Sequence, residues 1–429
     1  MNSFIQKIFK LKLHWQILIG MTLGVLCGLL TTQDNTQILA AYEFIGEIFI
    51  KLLKMIIVPL VTASIITGVL SLGSGSSLGR IGLRTIVYYL ATSLLAILTG
   101  LILVNLFTPG IQDGNPVGSL LGFQESVSGM SALAEGSFSD IINVFKRMIP
   151  VNPIESAAKA DVLPLIFFSI LLGLFIPKIG KKYASLLTDF WKAIFDVMMK
   201  ITHFIIKFAP IGVFGLVAAT ITKTGLSSIL PLCKYALVVL AGLAIHFFIT
   251  LPLILRVFAK TKPWFWQHKQ MLEALLTAFS TSSSQATLPL TIKCVEEKVG
   301  VSNKISSFVL PLGATINMDG TALYECIAAM FIAQAYGIEL SFMQQFIIVI
   351  TTLLASIGAA AIPSAGLVMI AIILKAVGLP LEGIGLILAV DRVLDMCRTT
   401  VNVFSDSCGA TVIAKLSGEK VEQVQNRTT

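Results

Sequence analysis

Uncharged apolar runs, separated by short polar segments, recur along most of this chain. A helix of about 20 apolar residues is long enough to cross the hydrocarbon core of a bilayer. Spans of this kind are predicted at residues 13–30, 55–72, 87–107, 194–217 and 235–255. Residues 162–177 are shorter and are predicted to continue a broken helix through residues 144–158. The pattern predicts an all-α polytopic membrane protein in which residues 1–429 form one integral protomer.

Two segments do not fit a simple crossing. Residues 274–292 have the polar run STSSSQAT (280–287) at their centre, which leaves apolar arms of only one or two turns. Residues 341–374 are uncharged but contain SIGAAAIPSAG (356–366), whose glycines and proline break a helix. Non-helical backbone at membrane depth is tolerated only when it is buried in protein or faces a water-filled cavity. Both segments are therefore predicted to be re-entrant helical hairpins.

Each predicted hairpin is followed by a span with charge in its middle, which makes an internal repeat. Residues 302–335 contain Asp319 and Glu325. The charges within residues 383–414 are Asp391, Arg392, Asp395, Arg398 and Asp406. The loop charges predict that the first hairpin opens inward and the second outward, so the repeats are inverted. Paired interrupted segments in two related halves indicate the midplane binding site of a transporter.

The composition agrees with a membrane protein. The 429 residues are 55% hydrophobic and 13% charged, whereas roughly 25% of the residues in soluble proteins are charged. The six cysteines lie far apart with no CxxC pair, so no disulfide or zinc site is predicted. The net charge of +8 does not indicate nucleic-acid binding, because basic residues of membrane proteins gather in cytoplasmic loops.

The basic residues also predict orientation, since Lys and Arg are retained on the cytoplasmic side. Lys7, Lys10 and Lys12 place the N-terminus inside, and the first apolar segment lacks a small-residue cleavage site, which predicts that it is retained. The other basic residues of the predicted inner segments are Arg80, Arg84, Lys178, Lys181, Lys182, Arg256, Lys260, Lys262, Lys269, Lys415 and Lys420. Both termini are thus predicted to be cytoplasmic, in the cell membrane or, in a Gram-negative cell, the inner membrane.

The charges inside the last spans need partners, because each costs about 2.5 to 3.5 kcal/mol on insertion at a helix centre. The polar residues that share one face of the last helix are Asp391, Asp395, Arg398, Thr399, Asn402 and Asp406. One interpretation is a buried salt-bridge ladder, with Asp395 on Arg398 and Asp391 on Arg392 or a neighbour. The other is a bound cation, because carboxylates outnumber cations there and hard cations prefer oxygen ligands.

The segment GATINMDGT (313–321) supplies further oxygen ligands. Gly320 weakens the helix after Asp319. Asn317 and Asp319 cannot share one face of a regular helix, so local unwinding is predicted to bring both side chains to one ion site.

Four motifs together resemble the dicarboxylate/amino acid:cation symporter family: NMDGT (317–321), the serine run before ATLP (286–289), SIGAAAIPSAG, and DxxxDxxRTxxN (391–402). That family includes archaeal and bacterial aspartate/glutamate transporters and animal excitatory amino acid transporters. The resemblance implies a homotrimer in membrane lipid, with eight spans and two re-entrant hairpins per protomer. It also implies a scaffold, mainly residues 1–72 and 139–222, and an elevator-like transport part, mainly residues 78–108 and 228–417.

The implied activity is symport of L-aspartate or L-glutamate with sodium ions, without enzymatic chemistry, an organic cofactor or a nucleic-acid partner. By resemblance, Arg398 would pair with the side-chain carboxylate of the substrate and Asp395 would hold its ammonium. The other implied substrate-binding residues hydrogen-bond nearby or form the hairpin tips that receive the α-carboxylate: Ser283, Ser284, Thr321, Ile362, Gly366, Thr399 and Asn402.

The same resemblance implies three sodium sites. The first would be formed by Gly313, Asn317, Asn402 and Asp406, and the second by Tyr89, Thr92, Ser93, Asn317 and Asp319. The third would use carbonyls of Thr315, Met318, Ser356, Ile357 and Ala359. Glu325 resembles the acid that carries a proton in the animal transporters, so proton cotransport and potassium countertransport are further expectations.

One departure from the family pattern concerns charge near the substrate. Family members commonly have a second arginine there, in the first hairpin or directly after the aspartate that Asp395 matches. Ser282 and Met396 stand at those positions here. Arg392 is expected to point elsewhere on the helix, which leaves the charge balance of Asp395 open.

Other functions remain as alternatives. They are a proton-driven dicarboxylate or neutral amino acid symporter, an anion-conducting channel, and an intramembrane hydrolase. A hydrolase is disfavoured because HExxH does not occur, and His246, alone on an apolar span, is interpreted as a packed or interfacial residue. A channel is disfavoured because it does not need a pair of opposite charges such as Asp395 and Arg398 within one helical turn.

Overall fold

The computed structural model describes residues 13–32, 34–71, 79–118, 146, 149–159, 162–225, 229–260, 264–358, 365–419 and 421. These residues are mostly helical, which confirms the predicted all-α class for the described part of the chain. A short antiparallel pair, β1 (Ile111–Gln112) with β2 (Asn115–Pro116), places Ile111 opposite Pro116.

The first half of the chain forms helices α1 to α7. Their bounds are Leu13–Leu30 (α1), Thr36–Ser71 (α2), Gly79–Phe107 (α3), Pro153–Ala158 (α4), Val162–Phe175 (α5), Lys181–Ile206 (α6) and Ala209–Thr224 (α7). The prediction of one span over residues 194–217 is wrong, because α6 ends at Ile206 and α7 starts three residues later. Pro210 lies in the first turn of α7. It has no N–H for the preceding helix and its ring would clash there, so the helix is interrupted.

The second half forms helices α8 to α16. Their bounds are Ile229–Ile245 (α8), Leu251–Ile254 (α9), Trp266–Thr281 (α10), Ser284–Cys294 (α11), Asn303–Ile316 (α12), Asp319–Ala335 (α13), Phe342–Gly358 (α14), Ala365–Val377 (α15) and Ile384–Leu416 (α16). Helices α8 and α9 join through a π-helical turn, His246–Thr250, and a second π turn, Leu255–Ala259, follows α9.

The two predicted helical hairpins correspond to pairs of contacting helices, α10 with α11 and α14 with α15. Helix α10 ends where Ser282 adopts a left-handed conformation (φ +50°). The arms of the first pair are longer than the predicted one or two turns, because the polar residues from Trp266 onward are also helical. The tip of the second pair, residues 359–364, lies outside the described residues.

Helix packing divides the described helices into two groups. In the first helix group (α1, α2, α5, α6 and α7), Gly24 and Gly28 of α1 face α7. A Cβ on Gly24 would lie 2.9 Å from the Phe214 carbonyl oxygen, so only small residues allow this approach. The second helix group (α3, α8 and α10 to α16) packs around α13 and α16, and its helices α12 and α14 to α16 also touch the first group.

Within the described residues, two helical segments, Ile81–Phe107 and Leu230–Ala259, are long and apolar enough to cross a membrane. Shorter apolar helices lie at Trp15–Leu30, Val58–Leu70, Pro164–Lys178, Ala209–Lys223 and Phe342–Ser356. Large apolar side chains are exposed on the outer faces of α1 and α6, among them Leu26, Leu186 and Phe190. Extensive exposed apolar surface of this kind marks a membrane or protein contact. By contrast, α13 is buried along almost its whole length, including its polar N-terminus.

Candidate functional site

The candidate site is built around the break between α12 and α13. Asn317 and Met318 leave helical geometry, with φ −93° and ψ 87° at Asn317 and φ −112° and ψ 50° at Met318. The structure thus has the local unwinding that the NMDGT motif predicts. Gly320 follows the break, and a Cβ there would lie 2.7 Å from the Arg398 carbonyl oxygen. The glycine therefore allows the start of α13 to approach the middle of α16 closely.

Asp319 lies at the centre of a buried polar cluster that joins four parts of the chain. Its Oδ1 accepts hydrogen bonds from Ser93 at 2.6 Å and Thr92 at 3.3 Å, both on α3. Its Oδ2 accepts one from Ser405 of α16 at 2.6 Å and lies 3.1 Å from Nε2 of His246. These five residues, the Asp319 cluster, are all almost fully buried. Such a carboxylate surrounded by hydroxyls provides the oxygen-rich environment that a hard cation prefers.

Sequence reasoning missed two members of this cluster, His246 and Ser405. His246 is packed, as interpreted from the sequence, but its fully buried ring also contacts the Asp319 carboxylate, and that contact was not predicted. The available signal was the general rule that an ionisable residue inside an apolar span has a functional partner. His246 also begins a π-helical turn, a feature that is frequent at functional sites and that only the structure reveals.

A second group of ligand-like atoms surrounds Asp406. The Asn317 amide donates to Asp406 Oδ1 at 2.9 Å and to Ser405 Oγ at 3.0 Å. A Cβ on Gly313 would touch both the Asp406 carboxylate and the Tyr89 hydroxyl. The residues predicted for the first two sodium sites therefore adjoin one another, with Asn317 between Asp319 and Asp406.

The Asn402 side chain contacts the start of α13. Its Oδ1 accepts the Gly320 N–H at 2.8 Å, and its amide nitrogen donates to the Thr321 hydroxyl at 3.2 Å and the Met318 sulfur at 3.3 Å. Thr321 and Asn402, both predicted to contact the substrate, are thus in direct contact. In this arrangement the Asn402 side chain connects the helix break at Met318 to Thr321.

Four charged residues form a buried network along one face of α16. Arg398, fully buried, donates from Nη1 to Asp391 at 2.9 Å and from Nη2 to Asp395 Oδ1 at 2.8 Å. Arg392 donates from Nη1 to Asp395 Oδ2 at 3.2 Å. The expectation that Arg392 points elsewhere is therefore wrong. The salt-bridge interpretation is confirmed for Asp395 on Arg398, whereas Asp391 pairs with Arg398 and Arg392 pairs with Asp395. We call these four residues the aspartate–arginine network.

The network faces the second helix pair through Arg398. The Arg398 guanidinium carbon lies 3.7 Å from the ring centroid of Tyr324, a cation–π contact. A Cβ on Gly366, at the start of α15, would lie 3.3 Å from the Tyr324 ring and 3.4 Å from the Arg398 guanidinium. Gly366 therefore leaves room for the closest approach of α15 to Arg398.

The remaining predicted residues are only partly brought together. Ser283 caps α11 by accepting the Ala286 N–H at 3.2 Å, and Ser284 is buried in its first turn. Thr399 donates to the Asp395 carbonyl of its own helix at 2.9 Å. In the third predicted sodium site, the hydroxyls of Thr315 and Ser356 bond to carbonyls of their own helices. Ala359, Ile362 and the side chain of Ile357 lie outside the described residues.

Glu325 occupies the interior of the protein two turns along α13. Its side chain is fully buried, and within the described residues neither carboxylate oxygen has a hydrogen-bond partner. An ionised carboxylate without a partner is strongly disfavoured in such surroundings. Glu325 therefore differs from Asp319 and Asp406, whose oxygens are hydrogen-bonded.

Comparison with known proteins decides the family. A profile described as the sodium:dicarboxylate symporter family matches residues 13–416. The chain belongs to this family.

It is 36% identical over 414 residues to a proton/sodium-glutamate symport protein of Geobacillus stearothermophilus, covering 96% of both chains. It is 38% identical over 419 residues to a proton/glutamate-aspartate symporter of Escherichia coli, covering 95% of this chain and 94% of the relative. A mouse excitatory amino acid transporter 3 is 40% identical over 463 residues, with 96% and 88% covered. The family resemblance seen in the sequence motifs is confirmed.

Membership changes the interpretation of the buried polar groups. The family and these relatives are described as transporters rather than enzymes, which supports the expected non-enzymatic function at the level of the family. In a sodium:dicarboxylate symporter, buried carboxylates and arginines are expected to meet ions and anionic substrates. Both kinds of group are present, with buried carboxylates on α13 and α16 and buried arginines on α16.

Proposed function

We propose that this chain is a secondary active symporter that takes up L-aspartate or L-glutamate together with sodium. The observation that carries the proposal is the buried pair of Arg398 and Asp395 beside Gly366, about two helical turns along α16 from Ser405 of the Asp319 cluster. A guanidinium and a carboxylate 2.8 Å apart match the opposite charges of an amino acid. The names of the relatives, which include glutamate and aspartate symporters, support the same substrate class.

In the proposed substrate site, the Arg398 fork binds the side-chain carboxylate of the substrate. The planar guanidinium suits bidentate recognition of a carboxylate. Asp395 holds the ammonium, and Thr321, Thr399 and Asn402 add hydrogen bonds. The substrate α-carboxylate is received by the first turn of α11, at Ser283 and Ser284, and by Ile362 and Gly366 of the second predicted hairpin, since helix N-termini attract anions.

The proposed sodium sites lie next to the proposed substrate site. Asp319 with Tyr89, Thr92, Ser93 and Asn317 forms one proposed site, supported by the hydrogen bonds of Thr92 and Ser93 to Asp319 and of Thr92 to Asn317. A second proposed site uses Asp406, Gly313, Asn317 and Asn402, supported by the contact of Asn317 with Asp406. A third uses carbonyls of Thr315, Met318, Ser356, Ile357 and Ala359. Because Met318 and Asn402 touch both the ion and substrate regions, ion binding would shape the substrate site.

The two helix groups are assigned different roles in transport. We infer that the first helix group is the scaffold of a homotrimer and that the second moves across the membrane as an elevator. In this proposal α10–α11 and α14–α15 are re-entrant hairpins of opposite orientation, eight other segments cross the membrane, and both termini are cytoplasmic. The distinction is supported by a contrast between the groups. Helix α1 packs closely on α7 in the first group, whereas the second group has a buried polar centre.

Proton coupling is the second candidate driver. It is favoured by the buried carboxylate of Glu325, which has no hydrogen-bond partner among the described residues, and by relatives named as proton/glutamate symporters. Protonation of Glu325 would avoid the cost of burying an ionised carboxylate. Binding of a proton there would therefore accompany uptake. Countertransport of potassium would then belong to the return step.

The deciding experiment is uptake of labelled L-aspartate and L-glutamate into proteoliposomes, with sodium, proton and potassium gradients imposed one at a time. We expect accumulation above the external concentration when an inward sodium gradient is imposed. Accumulation driven by protons alone would replace sodium with a proton-driven mechanism. Flux that only equalises the two concentrations would identify a channel and refute symport.

A further inference from the structure

The carboxylate of Asp395 is shared between two arginines. Its Oδ1 pairs with Arg398 at 2.8 Å and its Oδ2 with Arg392 at 3.2 Å. The side chains of Arg392 and Asp395 are 9% and 7% exposed, so the pair is formed away from bulk solvent. Nothing in the proposed substrate or ion sites uses Arg392, although a buried guanidinium is costly to maintain.

The formal charges of the network show what Arg392 contributes. Two guanidiniums face two carboxylates, so the aspartate–arginine network is neutral as a whole. An acidic amino acid has two carboxylates and one ammonium and therefore adds one net negative charge. Without Arg392, the protein part of the network would already be negative before the substrate arrived, and like charges at close range repel strongly in a low-dielectric site.

The geometry also shows competition for Arg398. Its two terminal nitrogens are engaged by Asp391 and Asp395, at 2.9 and 2.8 Å. A bidentate bond to a substrate carboxylate therefore requires that at least one of these aspartates be released. An aspartate released from Arg398 inside the protein must keep another cation. Asp395 has one in Arg392, whereas Asp391 pairs with Arg398 alone among the described residues.

Both arginines retain unused donors. Within the described part of the chain, Nε of Arg392 and Nε of Arg398 are buried and have no hydrogen-bond partner. Buried donors of this kind normally find an acceptor, and an anionic ligand would supply one. This observation is independent of the charge count and points in the same direction.

We propose that Arg392 is a positioning residue for the substrate: it holds Asp395 and compensates its charge, so that Arg398 can turn to the carboxylate of an acidic amino acid. The inference rests on the proposed function, because it assumes that Arg398 binds that carboxylate. It assigns the preference for acidic over neutral substrates to two arginines of α16 rather than one.

The test measures the dissociation constant of L-aspartate at saturating sodium in purified full-length protein. Arg392→Ala should weaken binding at least about tenfold, because a buried charge pair is broken. Arg392→Lys keeps the charge but not the planar fork of the guanidinium. Its dissociation constant should therefore fall between those of the unaltered protein and Arg392→Ala. Arg256→Ala, which removes an exposed cation, is the matched control.

A second substitution separates positioning from a general effect on folding. Asp391→Asn in the Arg392→Ala background removes one carboxylate that competes for Arg398 and makes the remaining pair neutral. We expect the double variant to recover a large part of the lost aspartate affinity. The sodium dependence of binding should stay that of the unaltered protein. A purely structural role for Arg392 would instead lower thermal stability without recovery of binding in the double variant.

The outcomes are distinct. Unchanged aspartate affinity in Arg392→Ala, or a double variant that binds as weakly as Arg392→Ala alone, would overturn the inference and leave the proposed function intact. If the unaltered protein bound neither aspartate nor glutamate in sodium, the proposed function would fail, and the inference with it.

Discussion

Removal of the Arg398 guanidinium is the most direct test of substrate recognition. Arg398→Cys breaks two buried ion pairs, at 2.9 and 2.8 Å, and the cation–π contact with Tyr324 at 3.7 Å. Asp395 keeps its bond to Arg392, but Asp391 loses its ion-pair partner. Breaking a buried pair from one side costs about 3–5 kcal/mol, so the single variant is expected to be less stable as well as inactive.

The loss of stability can be separated from the loss of binding. Arg398→Cys combined with Asp391→Asn removes the orphaned charge, so thermal stability should recover in large part. Aspartate binding should not recover, because the group that recognises the side-chain carboxylate is gone. Truncating one partner of a buried charged pair costs about 2–5 kcal/mol in binding, which corresponds to a roughly 30-fold to several-thousand-fold weaker dissociation constant.

The assay is isothermal titration of L-aspartate at saturating sodium, with uptake into proteoliposomes as a second readout. The space left by the smaller side chain is expected to admit small neutral amino acids such as L-serine, which the unaltered protein should bind poorly. Sodium affinity measured without substrate should change little. Undiminished aspartate binding in the stable double variant would refute the role of Arg398.

Three further predictions concern ions and protons. Asp319→Asn and Asp406→Asn keep side-chain shape but remove charge, so sodium affinity should fall about tenfold or more and aspartate affinity below sodium saturation should fall with it; sodium-independent aspartate binding by the unaltered protein would contradict both assignments. His246→Leu removes a neighbour of Asp319 Oδ2 and should weaken sodium binding several-fold by titration, whereas His246→Gln, still a donor, should retain more; equal affinities would leave His246 without a role. Glu325→Gln should preserve exchange of internal for external aspartate but abolish net uptake and its pH dependence; net uptake at the normal rate would make Glu325 structural.

Local rules predicted the features that depend on neighbouring residues. The helix break at Asn317 and Met318 follows from a glycine-containing polar segment inside an apolar run. The shared face of Asp391, Asp395 and Arg398 follows from helical periodicity alone. The end of α6 at Ile206 was missed, although Pro210 was visible, because the apolar pattern continues across the break.

The sequence by itself determined the all-α class, the polar helix break, the charged face of α16 and the family. The tertiary structure alone decided that His246 and Ser405 meet Asp319, and that Arg392 reaches Asp395. The physical reason is that periodicity fixes which side of a helix a residue occupies but not what faces it. Partners far apart in the chain are set by the packing of α3, α8 and α16 around α13, where burial makes every unpaired charge costly.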